Sequence, residues 1–70
     1  MKTEQKGPRY QARLKVGDDI LFQVEGIDLD ALTTVINSRL ELERSGTVGE
    51  IIDLKDDEVV YRCIKQPANE

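Results

Sequence analysis

Apolar and polar residues alternate along two stretches near the start of the chain. The apolar positions are Tyr10, Ala12, Leu14 and Val16 in residues 9–16 and Ile20, Phe22 and Val24 in residues 20–25. Alternation with a period of two is typical of a strand that buries one face. Gly17 and two aspartates separate the stretches and supply turn chemistry. We therefore predict a β-hairpin whose apolar positions face a core.

A helix is predicted after this hairpin. Its apolar positions, at steps of three, four and four, are Leu29, Leu32, Ile36 and Leu40, and this spacing lines one helical face. Asp28 is a good N-cap, because its carboxylate can accept a hydrogen bond from an unpaired backbone amide. Ile27 and Leu32 are spaced for a hydrophobic staple around that cap. Gly46 is the predicted C-terminal stop.

A second hairpin is predicted from residues 47–54 and 58–65, which flank a Lys-Asp-Asp turn. We expect the inward positions to be Val48, Ile52 and Leu54 in the third strand and Val59, Tyr61 and Cys63 in the fourth. The opposite phase would bury Asp53 and Arg62, which is costly for charged groups. This choice leaves apolar residues on the outer face of the sheet.

The element order predicts an α+β fold of the β-β-α-β-β type, with one helix packed on one face of a four-stranded sheet. A right-handed crossover favours the strand order 2-1-4-3, which is similar to the β-grasp arrangement of ubiquitin-type and immunoglobulin-binding domains in element order alone. The chain lacks a C-terminal Gly-Gly, so conjugation chemistry gains no support. We expect a flexible basic arm at 1–8, a single domain at 9–65 and a polar tail at 66–70.

Composition argues against catalysis. The chain has no His and one Cys, so neither an internal disulfide nor a zinc site with the usual ligands is expected. Cys63 has no histidine to activate it and is expected to be a small core residue. The paired aspartates lie at turns at opposite ends of the predicted sheet, where they stay hydrated. We predict no catalytic, cofactor-binding or metal-binding residues. Because no apolar run suits a secretory signal or membrane span, we expect a cytoplasmic protein without membrane contacts.

The predicted strand phases leave more apolar surface than one helix covers. The residues expected on the exposed side are Leu21, Ile51, Val60 and Ile64, and Ala31, Val35 and Leu42 form a similar surplus on one helix flank. Exposed apolar patches on small domains usually mark interfaces. We therefore predict a protein-interaction module, a homodimer joined through the outer sheet face or an edge strand, or a contact with another protein. In the alternative interpretation the strand phase is wrong and these residues belong to the core.

Charge is unevenly distributed. The net charge is −4, but residues 1–16 contain five basic residues and one acidic residue. Arg9, Arg13 and Lys15 form a basic stripe on the outer side of the first strand. Such a stripe could contact the phosphates of a nucleic acid, or a nucleic-acid-binding partner, in a regulatory protein. The structural alternative is a solvated strand face. The acidic remainder could instead mimic a phosphate backbone toward a basic partner.

Overall fold

Both predicted hairpins and the helix between them are present in the computed structural model, which describes residues 7–67. The elements are β1 (Tyr10–Val16), β2 (Asp19–Gly26), α1 (Leu29–Leu40), β3 (Val48–Asp53) and β4 (Glu58–Ile64). The predicted α+β class, with four strands and one helix, is confirmed. The predicted arm and tail fall largely outside this range, because residues 1–6 and 68–70 are not among those described.

The predicted strand order is wrong. The order is β2-β1-β3-β4, and every neighbouring pair is antiparallel. β3, not β4, therefore lies beside β1, and the likeness to the β-grasp order does not hold. Side chains on the β1–β3 border favour this pairing: Arg13 lies opposite Glu50 and Ala12 opposite Ile51. Sequence patterning did not anticipate that β1 and β3 carry opposite charges at matching positions.

Helix α1 begins as predicted and ends earlier. The Asp28 carboxylate accepts a hydrogen bond from the backbone amide of Ala31 at 3.3 Å, so the N-cap prediction is confirmed. Ile27 is 76% exposed, so the predicted staple does not form. The helix stops at Leu40, and the left-handed Gly46 (φ 90°) lies instead in the turn that leads into β3, where its amide donates to the Lys65 carbonyl.

The core lies between α1 and the two central strands. Its buried members are Ala12, Leu14, Leu32, Ile36, Leu40 and Ile51, and the partly buried residues packed against them are Tyr10, Phe22, Val24, Leu29, Tyr61 and Cys63. Gly49 lies opposite Leu14 on β1 and directly below Ile36, where a β-carbon would approach the Ile36 Cγ2 to 2.8 Å. A glycine at this position therefore lets the helix approach β3 closely.

The predicted phase of β3 is wrong. Ile51, expected on the outer face, is fully buried in the core, whereas Val48 and Ile52, expected inward, have the opposite parity. The prediction avoided this phase because it buries Asp53, which is indeed only 5% exposed. The burial is tolerated because the Arg9 guanidinium donates two hydrogen bonds to the carboxylate. Removing a paired charge from water costs less free energy than removing an isolated one.

A β-bulge in each edge strand changes the facing of the residues beyond it. Leu21 is the extra residue in β2 and Val60 the extra residue in β4, as the register shifts show. Past each bulge the side chains exchange faces. Ile20 and Val59, both expected inward, are therefore 51% and 52% exposed. The inward positions predicted for Phe22, Val24, Tyr61 and Cys63 are confirmed.

Candidate interaction surface

The sheet surface opposite α1, which we call the open face, consists of three rows of side chains. Strand registers define the rows, because residues in one row lie side by side across β2, β1, β3 and β4. The first row is Ile20, Lys15, Val48 and Ile64; the middle row is Gln23, Arg13, Glu50 and Arg62; the third row is Glu25, Gln11, Ile52 and Val59. Alternate residues of the same strands pack under α1.

Apolar residues on the open face are concentrated on β3 and β4. The exposed members are Val59 and Ile64, and they lie beside Ile52 and Val48 respectively. Ile52 is only 8% exposed, and its neighbours in the row are Gln11 and Val59. Ile20 adds a separate exposed apolar side chain on β2 at the far end of the first row. The open face thus exposes apolar surface at both of its lateral edges.

The middle row holds a compact charge cluster. Glu50 accepts from the Arg13 guanidinium at 3.2 Å and lies 3.5 Å from the Lys15 ammonium, while its side chain is only 7% exposed. Two cations satisfy this one carboxylate, which offsets the cost of removing it from water. Arg62 lies opposite Glu50 on β4 and stays exposed. The cluster gives the centre of the open face a fixed pattern of charge.

A second ion pair closes the end of the sheet where β3 finishes. Arg9 binds Asp53 at 3.1 and 3.3 Å, and the backbone amide of Lys55 also donates to this carboxylate. The hydrogen bonds from Arg9 hold the pKa of Asp53 below its usual range, and the same pairing raises the pKa of Arg9. Arg9 and Asp53 therefore both remain charged at neutral pH.

All three residues of the predicted basic stripe are paired with carboxylates of β3. Arg9 contacts Asp53, and Arg13 and Lys15 share Glu50. A cation that already pairs with a carboxylate contributes less binding free energy to a phosphate contact, because the new contact must compete with the existing one. Arg13 and Lys15 lie on β1 and Arg9 directly precedes it, and the charge of all three is largely compensated within the fold.

The residues predicted at an interface are distributed over different parts of the sheet. Ile64 lies on the open face, Leu21 and Val60 are the exposed bulge residues of the two edge strands, and Ile51 is in the core. The prediction of Ile51 as an outer-face residue is therefore wrong, for the reason given for β3. Sequence reasoning missed Ile20, Val48, Ile52 and Val59 as open-face residues. A bulge leaves no clear mark in an apolar pattern, so Ile20 and Val59 could not be placed from the sequence.

The predicted surplus on the helix flank is exposed but does not form one helical surface. Val35 is on α1 and is 38% exposed, whereas Leu42 lies beyond the end of the helix and is 80% exposed. The Arg39 guanidinium lies 4.0 Å from the ring centre of Phe22 and covers the adjacent margin of the core. Leu42 is thus an exposed apolar residue outside the sheet.

Reactive side chains in the described part of the chain are few. Cys63 is half-buried and lies 3.7 Å from the Asn37 amide oxygen, which also accepts from the Tyr61 hydroxyl at 2.8 Å. Among residues 7–67, no three His, Cys, Asp or Glu side chains are grouped closely enough to hold a metal ion. In the same range, α1 is too short and too polar to cross a membrane.

Comparisons with known proteins give no relative from which a function could be transferred. No known family model, curated protein or solved structure matches the chain. The geometry of the open face is therefore the observation on which a functional proposal rests.

Proposed function

We propose that this chain is a small non-enzymatic protein-interaction module that self-associates through the open face. The supporting observation is the apolar surface that α1 leaves uncovered on that side of the sheet. Val59 and Ile64 are 52% and 43% exposed, and both border apolar neighbours on β3. A layered fold gains stability when such a sheet face is covered by another element, and α1 is already on the other side. A second copy of the chain can supply the missing layer.

The edge strands are less suited to self-association than the open face. Both carry a bulge, at Leu21 and at Val60. Bulges bend and twist a strand and interrupt its regular hydrogen-bonding edge, which is a common means of preventing edge-to-edge pairing. The edge strand β2 also begins with an exposed aspartate, Asp19, and charged residues on an edge strand disfavour such pairing. Of the two routes that the sequence suggested, the sheet face is therefore the one we propose.

The open face is close to the lower size limit of a specific interface. Four strands at about 4.8 Å and about seven residues at about 3.4 Å give a face of about 19 by 24 Å. Its projected area is about 450 Å², and the accessible area of a corrugated side-chain surface is larger. Specific interfaces begin near about 600 Å² per partner. We therefore expect a reversible dimer rather than an obligate one.

Sedimentation equilibrium of the wild type beside Ile64→Lys tests this proposal. Burying a whole isoleucine is worth about 1.5–3 kcal/mol, so the exposed half of Ile64 contributes about 2 kcal/mol per dimer. Its loss should raise the dissociation constant about 30-fold. The matched control is Leu42→Lys, which alters an equally apolar but more exposed residue outside the sheet and should leave the dissociation constant unchanged.

Two further measurements complete the sedimentation experiment. Circular dichroism should show that both variants stay folded, because each changed side chain is exposed. The dimer should persist at high salt, since apolar contacts are not screened, whereas a phosphate-binding surface would lose affinity steeply. A wild type that is monomeric at submillimolar concentration would contradict the proposal.

A further inference from the structure

The charges in the middle row of the open face are arranged with approximate two-fold complementarity. Arg13 and Glu50 occupy neighbouring positions on β1 and β3, the two central strands. The centre of the sheet lies between these strands, so the cation and the carboxylate lie on opposite sides of the midline. A half-turn about an axis that lies in the interface and runs parallel to the strands exchanges the two sides of the midline.

In a dimer with that axis, opposite charges face each other at the centre. Arg13 of one copy lies over Glu50 of the other, and the reverse contact is made by symmetry, as in any isologous interface. The Arg13–Glu50 ion pair of each copy then stacks on the same pair of the other copy with its charges reversed. The four charged groups form a square of alternating sign. At the lateral end of the same row, Gln23 faces Arg62. No pair of like charges meets across the middle row, which is the condition for electrostatic complementarity.

The first row is also complementary under this half-turn, through apolar contacts rather than charges. Its outermost members are Ile20 on β2 and Ile64 on β4, both exposed. The same half-turn places Ile20 of each copy over Ile64 of the other. The exposed parts of these two isoleucines thereby bury each other at both lateral edges of the interface, and the stem of Lys15 of one copy covers Val48 of the other.

A symmetric arrangement with the axis perpendicular to the strands is electrostatically unfavourable. An axis perpendicular to the strands superposes each strand on its own copy, so Glu50 faces Glu50, Arg13 faces Arg13 and Arg62 faces Arg62 across the middle row. It does pair Ile64 with Val59. Like charges in contact across an interface oppose association, and the apolar gain is confined to β3 and β4.

We infer that the partner of the open face is a second copy of the chain, related by a two-fold axis parallel to the strands, with Ile20 of each copy opposite Ile64 of the other. This inference rests on the proposed function and specifies its geometry. The two sheets would lie about 10 Å apart with their strands nearly aligned. Residues Ile20 and Ile64 of the same copy are separated by three strand spacings, or about 14 Å, so contact between copies differs clearly from proximity within one.

Chemical cross-linking of mixed single-cysteine variants tests the axis. The variants Ile20→Cys and Ile64→Cys, each in a Cys63→Ser background, are mixed and treated with a short bifunctional maleimide. We expect a covalent dimer in the mixture and almost none with either variant alone, because in each pure dimer the two thiols lie far apart on opposite edges. The matched control is a mixture of Leu42→Cys with Ile64→Cys, which should give no covalent dimer.

The possible results separate the axis from the proposed function. Cross-linking of a Val59→Cys and Ile64→Cys mixture, or of Ile64→Cys alone, in place of the Ile20 and Ile64 combination would overturn the inferred axis while self-association stood. Sedimentation of the same cysteine variants as monomers, with the wild type also monomeric, would overturn both. Covalent dimer in the Ile20 and Ile64 mixture alone supports the inferred arrangement.

Discussion

Gly49→Ala tests which face of β3 the helix covers, and hence which residues belong to the open face. The added methyl group would approach the Ile36 Cγ2 to 2.8 Å, the Leu14 Cδ2 to 3.1 Å and the Cys63 Sγ to 3.2 Å. Ile36 and Leu14 are fully buried, and the branched side chain of Ile36 has little rotamer freedom in a helix. The helix must therefore move away from β3 to accommodate the methyl group.

Two opposing effects set the magnitude of this change. Overpacking a buried site costs about 1–3 kcal/mol. Replacing glycine by alanine in a strand recovers about 0.5–1 kcal/mol of backbone entropy and packing. The free energy of unfolding should therefore fall by about 1–2 kcal/mol. With a urea m-value of about 1 kcal/mol/M for a chain of this size, the midpoint should fall by about 1–2 M.

The assay is urea unfolding followed by circular dichroism at one fixed protein concentration, since any dimer makes stability depend on concentration. Gly26→Ala is the matched control, because its β-carbon would meet only Leu32 at 3.5 Å or more, in ordinary contact. That variant should be neutral or more stable. Combining Gly49→Ala with Ile36→Leu, which removes the crowding methyl, should cost less than the sum of the two single changes. A Gly49→Ala protein as stable as the wild type would refute the packing of α1 on β3.

Three further predictions concern stability. The pKa of Asp53 is depressed in the folded protein, so its carboxylate stabilises the fold at neutral pH and this contribution is lost as the pH falls through the folded-state pKa. In Asp53→Asn the free energy of unfolding should therefore fall less steeply below about pH 4 than in the wild type. Urea midpoints at pH 7 and pH 3 that shift equally in both proteins would contradict this prediction. Asp57 has a left-handed φ of 61°, so Asp57→Gly should preserve or raise the thermal midpoint while Asp57→Val costs about 1 kcal/mol. Tyr61→Phe removes a hydrogen bond of 2.8 Å to Asn37 at an exposed site and should cost less than about 1 kcal/mol in urea unfolding, and a larger loss would indicate a structural role for that contact.

The candidate surface could be predicted only in part from the sequence. Ile64 was expected on the outer face and lies on the open face, whereas Leu21 and Val60 are exposed at the bulges of the edge strands, outside its three rows. Ile51 was misplaced because the strand phase that buries it also buries Asp53, and the compensating Arg9 lies 44 positions away in the chain. The basic stripe was found from strand parity, but its neutralisation by β3 could not be anticipated without the strand order.

The sequence by itself determined the elements of this protein: two hairpins from period-two alternation, a helix from its 3-4-4 spacing, and the Asp28 cap from local hydrogen bonding. These features depend on neighbours within a few positions. Only the tertiary structure decided which strands pair, where the Leu21 and Val60 bulges reverse the facing, and which carboxylates are neutralised. These outcomes depend on contacts between distant segments, because a one-residue shift in register or a single ion pair across strands changes which side of a strand is buried.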